Sequence, residues 1–257
     1  MKSRLVYIES LNYNISIIWL DNPPVNSISK EFLNQLNTCI NDIKDDKKIR
    51  CLLIGSKIKH FCAGADLKER LTFSNSETLN FLKQINSTFN NIEDLNIPVI
   101  AMLTGATLGG GAELSLSADF RIADSTLKFG FPETGLGIIP GAGGTYRLPK
   151  LLGLQRAKKM IYTGECLNFK KALEIMLIDD FSNTPIKKSI KLANIIIENS
   201  PLAISSAKHS INNNFNKDRE YGLNIEQESY LKVLGTKDRL EALKAFKEHR
   251  KPLWQKK

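Results

Sequence analysis

Cysteine and histidine are scarce in this sequence, and neither is arranged as a disulfide or metal framework requires. The four cysteines lie far apart and form no CxxC pair: Cys39, Cys51, Cys62 and Cys166. We expect them to be reduced, packed thiols in a reducing compartment. The three histidines, at positions 60, 209 and 249, share no local ligand spacing, and we therefore expect no metal.

Long hydrophobic runs are also missing. No apolar stretch approaches the ~20 residues that cross a bilayer, so no membrane association is expected. Strand-like alternation begins in Leu5–Ile8 and resumes in Ile15–Leu20, which leaves no room for a signal peptide. The sequence predicts a cytoplasmic protein, or a mitochondrial matrix protein only if a transit peptide has been removed.

The charge balance is strongly basic, because 36 Lys and Arg stand against 27 Asp and Glu, a net charge of +9. Such a balance suits a nucleic-acid partner, but a solvated lysine surface or a basic rim around a phosphorylated ligand would give the same total. Charge alone does not decide among them. The ordinary share of hydrophobic residues, 42%, excludes a disordered or fibrous chain.

A strand–strand–helix pattern recurs through the first two-thirds of the chain, which predicts an α/β protein. It begins with a hairpin, followed by a helix with Ser29 as N-cap. Buried strands and a long helix follow, and residues 119–123 and 126–129 are predicted to form a further strand pair. The other predicted segments are the hairpin strands 4–10 and 14–20, the buried strands 49–54 and 98–103, and the helix 76–94.

The last part of the chain changes character, since only helical periodicity continues after about residue 190. We therefore divide the chain into a core, 1–190, and a helical region, 191–257. Helices whose apolar faces cannot be buried alone pack on a neighbour, in the same chain or in another subunit. The predicted helices cover residues 190–198, 201–212, 219–234 and 237–249.

A glycine-rich turn from Gly105 to Glu113 follows a predicted buried strand and leads into a helix from about residue 110. Three consecutive glycines favour a backbone that only glycine adopts, or the close approach of a ligand. The unpaired N–H groups of such a helix start favour an anionic oxygen, either a phosphate or a developing oxyanion. The sequence contains no Walker lysine and no GxGxxG fingerprint at this turn, and a tight turn without a ligand is the alternative.

Two glutamates lie in unusually apolar sequence surroundings close to this turn. Glu113 is predicted in the first helical turn, and Glu133 follows Pro132 in a glycine-bracketed loop. Each is either a structural acceptor or a carboxyl group tuned for proton transfer by desolvation.

Three segments together carry a resemblance to a known family. They read FCAGAD in Phe61–Asp66, LGGGAE in Leu108–Glu113, and PE at Pro132–Glu133 continuing to PGAGGT in Pro140–Thr145. This order resembles the signature of the enoyl-CoA hydratase (crotonase) family, over essentially the whole chain. The resemblance implies a crotonase (ClpP-like) spiral of ββα units with a C-terminal helical trimerisation region.

The resemblance also implies roles for particular residues. Glu113 and Glu133 match the two glutamates that hold a water and add it across the double bond of a 2-enoyl-CoA thioester. The backbone N–H groups of Ala65 and Gly110 match the oxyanion hole that stabilises an enolate-like thioester oxygen. No cofactor is expected, because coenzyme A is part of the substrate.

The family's coenzyme A contacts match a loop and one residue of the tail. The loop residues are Ala63, Asp66, Leu67 and Lys68, although Lys68 also fits a solvated lysine at a helix start. Phe246 matches a tail aromatic that contacts coenzyme A, from a neighbouring subunit of the expected trimer or dimer of trimers. His249 departs from the lysine common three positions later, which leaves one phosphate contact in doubt.

Several activities remain open at this stage. Retention of both glutamates favours hydration over isomerisation, although one glutamate acting as a proton shuttle would support an enoyl-CoA isomerase. The segment Phe61–Arg70 and the tail resemble methylglutaconyl-CoA hydratase, a member that also binds RNA through lysines along its first long helix. The matching helix, 30–45, carries lysine only near its ends, so an RNA partner is not expected. The sequence leaves open acyl chain length and pathway, whether β-oxidation, leucine breakdown or another route.

Overall fold

A computed structural model describes residues 4–256 and confirms the α/β class. The described strands form two sheets, one of six strands and one of three. The strands are β1 (Val6–Ser10), β2 (Ile15–Leu20), β3 (Cys51–Ser56), β4 (Val99–Leu103), β5 (Ala106–Leu108), β6 (Phe120–Ala123), β7 (Lys128–Gly130), β8 (Leu167–Asn168) and β9 (Asp180–Phe181).

The helices surround these sheets and fill the C-terminal part of the chain. They are α1 (Lys30–Asp45), α2 (Leu67–Arg70), α3 (Asn75–Glu93), α4 (Gly110–Leu116), α5 (Gly144–Leu152), α6 (Leu154–Thr163), α7 (Phe169–Glu174), α8 (Pro185–Ile197), α9 (Pro201–Asn214), α10 (Arg219–Leu234) and α11 (Lys237–Lys247). One 3₁₀ helix, Pro132–Leu136, lies between β7 and α5.

The larger sheet has the order β1-β2-β3-β4-β6-β9, and all its pairs are parallel except the β1–β2 hairpin. The predicted hairpin is confirmed. Its turn is held by the Asn12 carbonyl Oδ1, which accepts the N–H groups of Asn14 and Ile15 at 2.9 Å each. Every residue of β2 and β4 is buried, as expected for strands covered on both faces.

One predicted pairing is wrong, because the strands at 119–123 and 126–129 belong to different sheets. β6 continues the large sheet beside β4, whereas β7 pairs in parallel with β5. The chain changes sheets at Gly105, which has φ +54°. Its N–H donates to Thr126 Oγ1 at 2.8 Å and its carbonyl accepts Lys128 N–H at 2.8 Å. These bonds place β5 and β7 side by side in the small sheet.

The N-cap predicted for α1 is confirmed, and the structure shows a cap for α3 that was not predicted. The Ser29 side chain caps α1 by accepting Phe32 N–H, and Ser74 and Glu77 form a reciprocal capping box at the start of α3. Both helices bury one apolar face, and they pack against each other over the large sheet's core. This packing puts the polar face of α3 within reach of the loop that follows the 3₁₀ helix.

The helical tail begins earlier than predicted. α8 starts at Pro185, in the first helical turn where proline is tolerated, and passes through residue 190 without a break. Its apolar residues pack on the outer side of the large sheet, beside Trp19 and Met102. The division at residue 190 remains a prediction. α9 and α10 follow as a closely packed helical pair.

Candidate active site

Two loops meet where the small sheet begins. Phe61 N–H donates to Thr104 O at 2.7 Å, and Leu108 N–H donates to Cys62 O at 3.0 Å. The first helical turn of α4 lies directly against this junction. A Cβ built on Gly111 would lie 2.0 Å from Cys62 O, so only glycine permits the contact.

Two unpaired backbone donors lie at this junction. Among residues 4–256, neither Ala65 N–H nor Gly110 N–H has an acceptor. The two positions are close together, since a Cβ built on Gly110 would lie 3.8 Å from Ala65 N. Gly110 is the first residue of α4, where no intrahelical acceptor exists. The structure thus brings together both residues that match the family's oxyanion hole.

Glu113 lies in the first turn of α4, as predicted, and is 2% exposed. Its Oε1 accepts two backbone N–H groups, from Ala142 at 2.7 Å and from Gly144 at 2.8 Å. Burial raises the pKa of Glu113, while these two hydrogen bonds and the nearby Arg147 charge act to lower that pKa. The carboxylate is therefore fixed in place by donors that favour its ionised form.

Glu133 lies in the 3₁₀ helix and has a different environment. It is 8% exposed, and its Oε2 is buried without a hydrogen-bond partner among the described residues. Burial raises the pKa of Glu133 to about 7, and the charge of Glu113 adds to the rise. Near neutral pH this carboxyl group is therefore protonated in a substantial fraction of molecules.

Glycines at two helix starts allow the carboxyl groups to approach, since Gly109 precedes α4 and Gly144 begins α5. A Cβ built on Gly109, whose φ is +51°, would lie 3.0 Å from Glu133 Oε1. A Cβ built on Gly144 would lie 3.0 Å from Glu113 Oε1. The glycine-rich motifs seen in the sequence therefore make room for the glutamates, in addition to shaping the turn.

The loop residues that match coenzyme A contacts have mixed surroundings. Asp66 caps α2, because its Oδ1 accepts the N–H groups of Lys68 and Glu69 at 3.0 and 3.2 Å. Leu67 and Lys68 are exposed, and Ala63 is half-buried with its N–H bound to Val25 O. The Asp66 carboxylate thus has a structural function in the loop.

The tail residue Phe246 lies in α11 and is 84% exposed. No described contact joins it to Glu113 or Glu133. His249, just beyond α11, is exposed and has a φ of +52°. A role for Phe246 at the site therefore requires a contact from outside this single chain.

Sequence reasoning missed the residues that hold Glu113. Ala142 and Gly144 belong to the PGAGGT motif of Pro140–Thr145, but the order of residues in this motif does not show that their N–H groups donate to a carboxylate. Arg147 was also missed, although it is only 4% exposed and binds Glu93 and Asn90. An arginine within an apolar helical stretch was the available signal.

This arrangement defines the chemical class of the site. Two buried carboxyl groups with unlike hydrogen bonding lie beside the N–H groups of Ala65 and Gly110, which have no acceptor among the described residues and can receive a developing oxyanion. Within residues 4–256, no helix is long and apolar enough to cross a membrane. No group of three or more His, Cys, Asp or Glu side chains in that range could hold a metal ion. Paired carboxyl groups of this kind can take part in proton transfer.

Comparison with known proteins identifies the family. The model of the enoyl-CoA hydratase/isomerase family matches residues 10–257. Human mitochondrial methylglutaconyl-CoA hydratase is 39% identical over 257 residues, covering 97% of this chain and 76% of that protein. The enoyl-CoA isomerase/hydratase fer4 of Mycosarcoma maydis is 42% identical over 247 residues, covering 91% of this chain and 90% of that protein.

A solved structure confirms the fold. The 1.8 Å crystal structure of enoyl-CoA hydratase from Bacillus anthracis matches with a TM-score of 0.95 and 38% identity, covering 98% of this chain and 100% of that chain. The chain belongs to the enoyl-CoA hydratase/isomerase family, whose members act on acyl-CoA substrates. The crotonase fold predicted from the motifs is confirmed.

Proposed function

We propose that this enzyme hydrates 2-enoyl-CoA thioesters to 3-hydroxyacyl-CoA, with Glu113 and Glu133 as catalytic residues. The observation that carries the proposal is the unlike environment of the two carboxyl groups. Glu113 Oε1 is bound by two N–H groups, whereas Glu133 Oε2 is buried and finds no partner within residues 4–256. Hydration needs one group to take a proton from water and another to give a proton to Cα.

In the proposed mechanism, ionised Glu113 accepts a proton from the attacking water. At the same time the water oxygen forms a bond to Cβ. The electrons of the double bond move onto the thioester oxygen, giving an enolate. The N–H groups of Ala65 and Gly110 stabilise that oxygen, since they are fixed and unpaired. Protonated Glu133 then gives its proton to Cα, and proton exchange restores both carboxyl groups. No cofactor takes part.

Coenzyme A binding is proposed for the loop Ala63–Lys68, with Lys68 near a phosphate. Lys68 is exposed and free to meet an anion, and the loop leads directly from the oxyanion donor Ala65. The residues proposed for binding are Ala63, Asp66, Leu67, Lys68 and, from a neighbouring subunit, Phe246. Asp66 contributes by shaping the loop as the cap of α2.

The test is hydration of crotonyl-CoA, followed by loss of the conjugated enoyl-thioester absorbance. Wild type should turn over the substrate, and Glu113→Gln and Glu133→Gln should each lower kcat by about 10²-fold or more. Glu174→Gln, an exposed glutamate on α7, is the matched control and should retain full activity. Unimpaired turnover in either active-site variant would contradict the two-glutamate mechanism.

Two acyl groups are candidates for the substrate of this enzyme. One relative is named for methylglutaconyl-CoA, so that branched, acidic enoyl thioester is the specific alternative to a short linear chain. Comparing kcat/KM for crotonyl-CoA and methylglutaconyl-CoA decides between them. A ratio above about 10 in either direction identifies the preferred class.

Isomerisation of 3-enoyl-CoA to 2-enoyl-CoA is a second candidate, favoured by the unpartnered Oε2 of Glu133. A single carboxyl group of that kind can remove a proton at one carbon and return it at another. Glu113→Gln would then abolish hydration while isomerisation survived. Loss of both activities in Glu113→Gln would exclude a shuttle by Glu133 alone.

A homotrimer or a dimer of trimers is proposed for the assembly. The tail exposes several large apolar side chains, namely Ile211, Phe215, Leu223, Tyr230, Leu231 and Leu234. Apolar residues in such number favour burial against another copy. Sedimentation equilibrium should give a mass of three or six chains, and a stable monomer would contradict the proposal.

A cytoplasmic location remains a prediction from the sequence.

A further inference from the structure

The side chain of Asn86 makes a contact that joins α3 to the active-site loop. Its Nδ2 donates to Leu82 O at 2.9 Å, one turn back in the same helix, and to Gly141 O at 2.6 Å, 55 residues away in sequence. Both hydrogens of the amide are thereby used. The second bond holds one end of the Gly141–Ala142 peptide group.

The other end of that same peptide group binds Glu113. The N–H of Ala142 donates to Glu113 Oε1 at 2.7 Å, so one planar unit receives a hydrogen bond at its oxygen and donates one at its nitrogen. A hydrogen bond to the carbonyl polarises the group and strengthens the bond its N–H donates. Asn86 thus acts on Glu113 through a single rigid peptide.

Arg147 of α5 holds the next peptide group, and side chains further along α3 hold Arg147 in turn. Arg147 Nη1 donates to Ala142 O at 3.1 Å. Its other nitrogens are held by Glu93 Oε2 at 2.7 Å and by Asn90 Oδ1 at 2.6 Å. Asn86, Asn90 and Glu93 are four and three positions apart, so they share one face of the helix. This polar face of α3 therefore holds the Gly141 carbonyl directly through Asn86 and the Ala142 carbonyl indirectly through Arg147.

We propose that Asn86 is a positioning residue for Glu113, which orients the Ala142 N–H and so fixes the catalytic carboxylate in its working geometry. The substrate does not touch Asn86 in this account. The inference rests on the proposed hydratase mechanism for its effect on rate, but its effect on Glu113 itself does not depend on any reaction.

The charges around Glu113 do not change when Asn86 is replaced by an uncharged residue. The charged groups that act on Glu113 are Arg147 from α5 and Glu133 from the 3₁₀ helix. Replacing buried Arg147 would remove a charge and risk the fold, because Glu93 would lose its partner. Asn86→Leu removes the donor, keeps a similar volume and leaves both charges in place.

The matched control is Asn80→Leu, the same change at an exposed position of the same helix. Relative to that control, Asn86→Leu should lower kcat for crotonyl-CoA by about threefold to tenfold with little change in KM. The acidic limb of its kcat/KM profile should move to higher pH by about 0.5 units, because weaker donation disfavours the ionised carboxylate. Equal profiles for the two variants would overturn the proposal.

A second measurement needs no turnover and therefore separates this inference from the proposed function. The infrared spectrum of Glu133→Gln is compared with that of the double variant Glu113→Gln, Glu133→Gln. The carboxyl band present in the first and absent from the second belongs to Glu113 alone. The titration midpoint of this band should move to higher pH by about 0.5 units when Asn86→Leu is added. Asn86→Ala, whose smaller side chain admits water, should move the midpoint in the same direction. An unmoved titration in a folded variant would overturn the proposal even if hydration were observed. A moved titration in an enzyme that does not hydrate crotonyl-CoA would sustain it.

Discussion

Glu113 and Glu133 lie at the same end of α4, yet one carboxyl group accepts two backbone N–H groups and the other has a buried oxygen without a partner in the part of the chain that the structure describes. The contrast follows from two loops. The loop Gly141–Gly144 donates two backbone N–H groups to Glu113. The 3₁₀ helix instead places Glu133 beside Gly109, which has no side chain. Two chemically identical groups thereby differ in how strongly each favours its ionised form.

The raised pKa of Glu133 predicts a pH-dependent cost to stability. This pKa is about 7 in the folded chain and about 4.3 when unfolded, so the folded state binds more protons between those values. The stability contributed by protonated Glu133 is present below pH 4.3 and is lost as pH rises through 7. Glu133→Gln should therefore be more stable than wild type at pH 8, by up to about 3 kcal/mol.

Urea unfolding from pH 5 to pH 8 measures this difference, with Glu174→Gln on α7 as the control. The gap between Glu133→Gln and wild type should widen with pH, while the control stays parallel to wild type. A gap that is constant across this range would show that Glu133 titrates normally.

The contact between α4 and the Phe61–Asp66 loop predicts a severe effect of one methyl group. In Gly111→Ala, the new Cβ would lie 2.0 Å from the Cys62 carbonyl, and backbone cannot move aside as a side chain can. We expect a loss of at least about 2 kcal/mol in the free energy of unfolding. Gly135→Ala, with nothing within 4 Å, should change stability by less than about 0.5 kcal/mol. Equal stabilities of the two variants by denaturant unfolding would show that the contact is not tight.

The unpaired N–H of Ala65 predicts a backbone effect on rate. Replacing Ala65 by lactic acid changes the amide to an ester and removes only the N–H, so side-chain contacts remain. We expect kcat to fall by about 10²-fold or more, with a smaller change in KM. The same replacement at Ala203, whose N–H donates to the N-cap side chain of Ser200 at the start of α9, controls for the ester itself. Full activity of the Ala65 ester would exclude this N–H from the oxyanion site.

The exposed position of Lys68 predicts a salt-sensitive effect on binding. Lys68→Ala should raise KM by about threefold to tenfold at low ionic strength and leave kcat unchanged, since the charge acts on the coenzyme A phosphates. The increase should shrink in 0.5 M salt. Lys170→Ala, an exposed lysine on α7, should have no such effect. A KM increase that persists in high salt would point to a packing role instead.

Local sequence signals predicted the elements that depend on local interactions. The Asn12 turn, the Ser29 cap and the start of α4 after the glycines are each determined by residues a few positions apart. The resemblance identified the fold, and its glutamate and oxyanion matches lie together at one end of α4. Their catalytic roles remain predictions.

Long-range contacts explain what sequence reasoning missed. The strands at 119–123 and 126–129 were expected to pair, but Thr126 and Lys128 bind Gly105 more than 20 residues earlier and carry β7 into another sheet. The bond from Asn86 to Gly141 spans 55 residues, and nothing in the local pattern of α3 distinguishes Asn86 from Asn80. Such contacts become visible only when the elements are packed.

The pH dependence of kcat/KM for wild-type hydration tests the proposed roles of Glu113 as base and Glu133 as acid most directly. We expect a bell-shaped profile between pH 5 and pH 9. Activity should fall above an apparent pKa of about 7 as Glu133 loses its proton, and fall at acidic pH as Glu113 gains one. A profile that stays flat from pH 6 to pH 9 would contradict the assignment of Glu133 as the acid.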